Sequence, residues 1–318
     1  MNGHPLVSVI IPNYCHSNYL DERIQSILNQ SYGNFEVIIL DDCSPDDGAS
    51  KAVIEKYRPD PHVSHIVYNE TNSGSTFKQW QKGFSLSRGE YIWIAESDDS
   101  CHKELLATLL EPLENNPHCV LSFCRSIKTD SQGLLFNVHE SQCQDDKPFV
   151  MSGKEFINTH QRWCNFIVNA SSAVFRKSAI EGMADDYTNM KGCGVWLFWI
   201  HFSEKGDVSY SPYSLNYFRF HALNTTSSLE IAGTSDREMM MVVNYLFDWG
   251  YYTKNELLRL KMGHYWGRQK TYPFKSKTDE RLYMKEVLHL SQFDVWYYKL
   301  LVVAKSLGVA LKKFSKLI

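Results

Sequence analysis

Val7-Ser8-Val9-Ile10-Ile11 is a β-branched run halted by Pro12-Asn13, the pattern of a buried strand. Leu20, Ile24, Ile27 and Leu28 then recur at helical spacing, and the signal ends near Ser31-Tyr32-Gly33. Phe35 to Leu40 reads as a second buried strand, followed by the turn-rich stretch Asp41 to Gly48. A helix to about Tyr57, a strand at Val63 to Tyr68, a helix at about Ser75 to Leu86 and a strand at Tyr91 to Ala95 continue the rhythm. After Glu96-Ser97-Asp98-Asp99, Leu105, Leu106, Leu109, Leu110 and Leu113 mark a helix, and Val120 to Phe123 closes the series. Strands alternating with helices through short loops predict an α/β fold with a mostly parallel sheet flanked by helices. Such sheets bind ligands beyond the carboxyl ends of their strands. Three segments therefore fall on one rim: Pro12-Asn13-Tyr14, Asp41-Asp42 and Glu96 to Asp99. From about 126 the pattern loosens, and we read 126–235 as the second half of one domain spanning 1–235. Helical spacing then predicts a C-terminal extension over 236–318.

Composition narrows the class. Over 318 residues, 43 % are hydrophobic and 22 % charged, as in a globular protein. Thirty-three basic against 36 acidic residues give a net charge of −3, which argues against a nucleic-acid partner. The eight cysteines are scattered without a C-x-x-C pair, so reduced thiols in the cytoplasm are expected rather than a zinc ribbon or dithiol redox site. The N-terminus lacks a basic, then long apolar, leader, and no run of ~20 apolar residues exists to span a bilayer.

Carboxylates crowded onto one turn after a buried strand repel one another unless something relieves them. A hard divalent cation, Mg²⁺ or Mn²⁺, would do so while screening substrate phosphates. The competing reading is a helix N-cap, with Asp98, Asp99 or Ser100 capping the helix near Lys103. Asp41-Asp42 is equally good turn chemistry or a hydrogen-bond acceptor for a pyrimidine imide, with Tyr14 offering an aromatic face.

Together these stretches resemble family 2 glycosyltransferases, the inverting enzymes of the GT-A fold. The matching segments are Val7 to Tyr14, Ser26 to Tyr32, Phe35 to Ser44, Asn72-Ser73-Gly74 and Gly89 to Asp99, in register over roughly residues 6 to 125. The resemblance implies that Pro12 and Tyr14 lie against a nucleotide base and that Asp42 hydrogen-bonds it. Glu96 replaces the first Asp of the family's D-x-D pattern. Asp98 would meet ribose or metal, and Asp99 the metal or the acceptor side. Asn169 to Arg176 resembles the segment beside the acceptor; Val195 to Trp199 and Leu215 to His221 resemble the closing region. There Arg219 and His221 would reach the diphosphate or the metal, giving Asp98, Asp99 and His221 as the expected metal set. His221 is equally readable as a hydrogen-bonded core histidine.

The implied reaction transfers a sugar from a nucleotide donor, expected to be UDP-linked, to a hydroxyl of a glycan or lipid-linked acceptor. It proceeds with inversion, in surface polysaccharide or glycoconjugate synthesis. One departure stands out. Relatives carry an acidic general base immediately before the Trp that Trp196 matches, and this chain has Val195. Either the local alignment slips, or Asp185 or Asp186 in the loop before substitutes, or the chain is a catalytically impaired, glycosyltransferase-like binding subunit. A nucleotidyltransferase would need a Gly-rich, basic phosphate loop after the first strand, and Pro12 to His16 is not one. Residues 299–318 are amphipathic, with Lys305, Lys312, Lys313 and Lys316 opposite Leu300, Val303, Leu307 and Phe314. They read as a helix packed on the body or lying on an anionic membrane face. The expected location is the cytoplasm, at the inner membrane face if the tail binds lipid.

Overall fold

The computed structural model describes residues 4–135, 147–221 and 234–306. Contacts divide the chain into two units, Met1–Ser227 and Ser228–Ile318.

In the first unit, β1 (Val7–Asn13), β2 (Phe35–Asp41), β3 (Val63–Tyr68) and β4 (Tyr91–Ile94) alternate with α1 (Ser17–Leu28), α2 (Ala49–Glu55) and α3 (Thr76–Leu86). A short β5 (Ser100–Cys101), α4 (Leu105–Asn115) and the long β6 (Cys119–Thr129) follow. β7 (Phe149–Ser152), α5 (Gly153–Phe156), β8 (Ala173–Arg176), α6 (Gly194–Ser203) and β9 (Asp207–Arg219) complete the unit. Among the described residues one sheet runs β3-β2-β1-β4-β8-β6-β9-β5, with β7 on β9. β1 is parallel to both β2 and β4, in the register Val9↔Val37 and Val9↔Trp93, so the three strand ends carrying the rim segments lie side by side. β1, β2 and β4 are buried at every position, which explains why they read as continuous apolar runs rather than alternating ones. Gly83 lets α3 sit close on β1, since a Cβ there would stand 2.5 Å from Ile10 Cγ2.

The second half is mixed. β8 inserts antiparallel between β4 and β6, and β9 is parallel to β6 but antiparallel to β5 and β7. Apart from His201, α6 is apolar from Trp196 through Phe202 and is correspondingly buried.

The second unit holds α7 (Thr234–Asp248), α8 (Lys254–Thr271), α9 (Lys277–Leu282) and α10 (Gln292–Ser306). Thr253 and Glu256 form a capping box at the start of α8. No helix among the described residues is long and apolar enough to cross a membrane. Lys312, Lys313, Lys316, Leu307 and Phe314 of the tail lie outside the described residues, as does Cys143. The other seven cysteines are free thiols.

Candidate functional site

The rim is assembled where β1, β2 and β4 end. The Asp42 N–H donates to Asn13 O at 2.9 Å, and Asn13 Nδ2 donates to Asp41 Oδ2 at 2.7 Å, locking the first two rim segments together. Ser44 closes the corner, its hydroxyl accepting from the Cys15 N–H at 2.9 Å and donating to Asp41 Oδ2 at 2.8 Å. Cys15 and Cys43 adopt left-handed backbone, each with φ 58°. Non-glycine residues in that region carry strain of the kind that gathers at functional loops.

Pro12 lies inside β1 opposite Leu40 and is buried, whereas Tyr14 projects from the strand end, 46 % exposed. Of this pair, only Tyr14 presents an open aromatic face. Asp42 is buried, and its carboxylate accepts from Asn69 Nδ2, the Ser73 N–H and hydroxyl, and Gln79 Nε2, all within 2.9 Å. Asp42 thus organises the Asn72-Ser73-Gly74 loop.

The four residues of the acidic turn have separate surroundings. Trp80 Nε1 donates to Glu96 Oε1 at 3.2 Å, while burial and the neighbouring Asp98 and Asp99 charges push the Glu96 carboxyl up to about 8. Asp99 is fully buried. Its Oδ2 accepts from Ser171 Oγ at 2.6 Å and Asn169 Nδ2 at 2.9 Å, and its Oδ1 from the Arg219 N–H at 3.1 Å. Burial, reinforced by Asp98, raises its pKa. The sequence reading grouped Asp99 with the metal ligands. Its oxygens are instead hydrogen-bonded to the β8 approach and the end of β9, so it holds the turn in place.

Asp98 differs. Burial opposes its charge, yet His221 and His16 more than offset this and lower its pKa. His221 Nε2 lies 3.0 Å from Asp98 Oδ2, and His16 Nδ1 lies 2.9 Å from Ser97 Oγ. Ligand-capable atoms of His16, Asp98 and His221 all fall within 4.8 Å of one another, each residue half-buried. Imidazole and carboxylate donors so grouped suit a divalent cation. His16 was not singled out as a ligand from the sequence; it occupies the cap position before α1 and reaches Ser97 across 81 residues.

Arg219 does not project toward this group as a phosphate clamp. It is buried, its Nε donating to Asp98 O at 2.8 Å and its Nη2 pairing with Glu22 Oε2 at 2.6 Å, with the guanidinium over the Tyr19 ring. The reason is local: β9 ends at Arg219 beneath the turn, and the acceptors of α1 and the turn surround its head group. Arg23, buried on α1 over the Trp93 ring at 4.9 Å, was likewise missed because it sits within the apolar stripe.

The first turn of α6 contains no acidic residue, and Val195 there is half-buried. Asp185 and Asp186 are exposed on the preceding turn, and Asp186 Oδ1 is 2.7 Å from the buried His201 Nε2.

Known proteins share this architecture. TuaG of Bacillus subtilis, provisionally named a teichuronic acid biosynthesis glycosyltransferase, is 35 % identical over 122 residues, covering 38 % of this chain and 47 % of that one. The glycosyltransferase GlyG of Streptococcus pneumoniae is 32 % identical over 109 residues, covering 34 % of this chain and 35 % of that one. These matches thus span less than half the length of either relative. The crystal structure of S. aureus TarS 1–349 in complex with UDP-GlcNAc superposes with a TM-score of 0.59 at 18 % identity, covering 95 % of this chain and 92 % of that one. The shared fold is therefore GT-A-like. The model of the family described as Glycosyl transferase family 2 matches residues 8–182, more than half of the chain and all three rim segments. With that match laid over the site, the chain belongs to glycosyl transferase family 2.

Proposed function

We propose that this protein transfers a sugar from a nucleotide-sugar donor to a hydroxyl acceptor, with inversion. The observation that carries the proposal is the convergence of Asp98, His16 and His221 at the rim where Tyr14 is exposed. A UDP-linked donor is supported by the likeness to a structure holding UDP-GlcNAc, and a surface-polymer acceptor by the teichuronic acid role named for TuaG and the poly(ribitol-phosphate) β-N-acetylglucosaminyltransferase activity named for S. aureus TarS. A divalent cation bound there, Mn²⁺ or Mg²⁺, would neutralise the diphosphate and stabilise it as it departs. Tyr14 would stack on the base. Asp98 and His221 would face the diphosphate end, with Asp99 and Arg219 holding the turn from below. The acceptor oxygen would bond to the anomeric carbon as the bond to the phosphate oxygen breaks, the hydroxyl proton passing to a carboxylate. Asp185 or Asp186 is proposed as that base.

A second reading is favoured by one observation. The first turn of α6 lacks a carboxylate where family resemblance expects one, which supports a binding subunit with impaired turnover. Titrating nucleotides and sugar nucleotides with and without Mn²⁺, then following donor hydrolysis and transfer, separates the two. Metal-dependent binding with transfer is expected; binding without turnover across a broad acceptor panel selects the second reading, and no nucleotide binding rejects both. Membrane contact through α10 is also proposed, because Phe293, Trp296, Leu300 and Val303 are exposed along it at helical spacing. Vesicle flotation of the chain truncated after Asp294 tests this, and unchanged partitioning would reject it.

A further inference from the structure

Among the described residues, the one group able to close around a cation is not an all-oxygen set. It contains one carboxylate, Asp98, and two imidazoles, His16 and His221. We propose that His16 is a protein ligand of the bound cation, and that the two-imidazole set selects a first-row transition ion such as Mn²⁺ over Mg²⁺. The proposal rests on the nucleotide-sugar reading of the same rim, because the diphosphate and water would supply the remaining positions.

The geometry fits. Ligand atoms about 2.1 Å from one ion stand about 3.0 Å apart when cis and about 4.2 Å apart when trans. His221 Nε2 and Asp98 Oδ2 already stand 3.0 Å apart, and all three ligand atoms lie within 4.8 Å. Small side-chain movements would bring the third into place.

The orientation of His16 also has a cause. Its Nδ1 is 2.9 Å from Ser97 Oγ, and Ser97 is buried in the acidic turn itself. A hydrogen bond to one ring nitrogen fixes the tautomer and the direction in which the other nitrogen presents itself, as outer-shell partners of metal-bound histidines commonly do. Edge contacts of the His16 ring with Tyr19 and His221, at centroid separations of 6.2 and 5.4 Å, restrict the ring further. The uncharged residue of the acidic turn thus acquires a role of its own: Ser97 is a positioning residue for His16.

Ion choice follows from donor chemistry. Mg²⁺ favours oxygen ligands and retains its water, whereas imidazole nitrogen suits later divalent ions. A site with two imidazoles and one carboxylate therefore penalises Mg²⁺ relative to the first-row transition ions, of which Mn²⁺ gains least.

The test uses the whole chain with UDP and Mn²⁺, read by electron paramagnetic resonance. Free Mn²⁺ is counted from its solution signal, and ¹⁴N/¹⁵N-histidine labelling reveals imidazole nitrogens coupled to the bound ion by spin-echo modulation. Two coupled imidazoles are expected in the wild type, falling to one in His16→Ala and in His221→Ala. His16→Ala should weaken Mn²⁺ binding at least about 10-fold, and Ser97→Ala by about 10-fold through loss of orientation. Mg²⁺ should displace Mn²⁺ only in molar excess, and a later transition ion such as Co²⁺ should displace it more readily than Mg²⁺ does. A single coupled imidazole in the wild type overturns the proposal without requiring any variant to fold. Equal displacement by Mg²⁺, or unchanged affinity in a folded His16→Ala, overturns it as well. UDP binding with no bound Mn²⁺ rejects this inference and leaves the donor reading intact, whereas absence of UDP binding rejects the donor reading itself.

Discussion

The Arg219 N–H donates to Asp99 Oδ1 at 3.1 Å, joining the end of β9 to the acidic turn after β4. Through this contact the last strand of the first unit fixes a carboxylate that follows the fourth. Removing it should be costly. Asp99→Ala would leave Asn169 Nδ2, Ser171 Oγ and the Arg219 N–H without their acceptor, a loss of about 3 kcal/mol or more. Asp98→Ala, which removes one side-chain partner of His221, should change stability by only about 1 kcal/mol while abolishing cation binding. Denaturant unfolding of the two variants checks this, and an Asp99→Ala protein as stable as wild type would remove the structural role given to Asp99.

Asp42 should behave as the anchor of a loop. Asp42→Ala withdraws the acceptor for Asn69, Ser73 and Gln79, so hydrogen exchange over residues 69–79 should accelerate at least about 10-fold without nucleotide present. If exchange is unchanged and only nucleotide preference shifts, Asp42 acts on the base instead.

Acid should weaken the fold through Glu36. Burial raises the cost of its charge, but hydrogen bonds from Arg88 and Ser8 outweigh that and hold its carboxyl at about 2, below the ordinary 4.5. A depressed pKa means the folded state binds this proton less readily than the unfolded state. The Glu36 contribution is therefore complete above about pH 4.5 and declines as pH falls toward 2. Glu36→Gln should be less stable than wild type at pH 7, with the gap narrowing toward pH 3. Thermal melts across that range measure it, and parallel curves would contradict the assignment.

Val195→Asp is the sharpest probe of transfer. A carboxylate in the first turn of α6 should raise turnover by about 10²- to 10⁴-fold if that turn faces the acceptor hydroxyl and the wild type lacks a base. No gain, together with a large loss in Asp185→Ala or Asp186→Ala, would locate the base on the preceding turn.

Much of the first half was legible in the sequence because β1, β2 and β4 are buried on both faces and its helices carry a single apolar stripe. Val7 to Ile11, Phe35 to Leu40 and Tyr91 to Ala95 each declare themselves by composition, and their shared direction then puts three loops on one rim. The antiparallel insertion of β8 was not legible, since its four residues are too few to show a period. Arg219 was expected at the diphosphate, yet its partners Glu22 and the Asp98 carbonyl lie 197 and 121 residues away. Sequence order gives no hint of such a closure. His16 escaped notice for the same reason, because a histidine before a helix looks like an ordinary cap until the acidic turn is seen beside it.

The hydrogen bond from Trp80 Nε1 to Glu96 places an indole at the edge of the acidic turn, and that has an optical consequence. Indole emission shifts with the charge and polarity around its ring N–H, so entry of a cation or diphosphate beside Glu96 should alter the ultraviolet fluorescence of this one side chain. The chain has eight tryptophans, and the difference between wild type and Trp80→Phe isolates its share. The rim thereby carries its own label-free reporter, suited to watching occupancy in stopped flow before any product is formed.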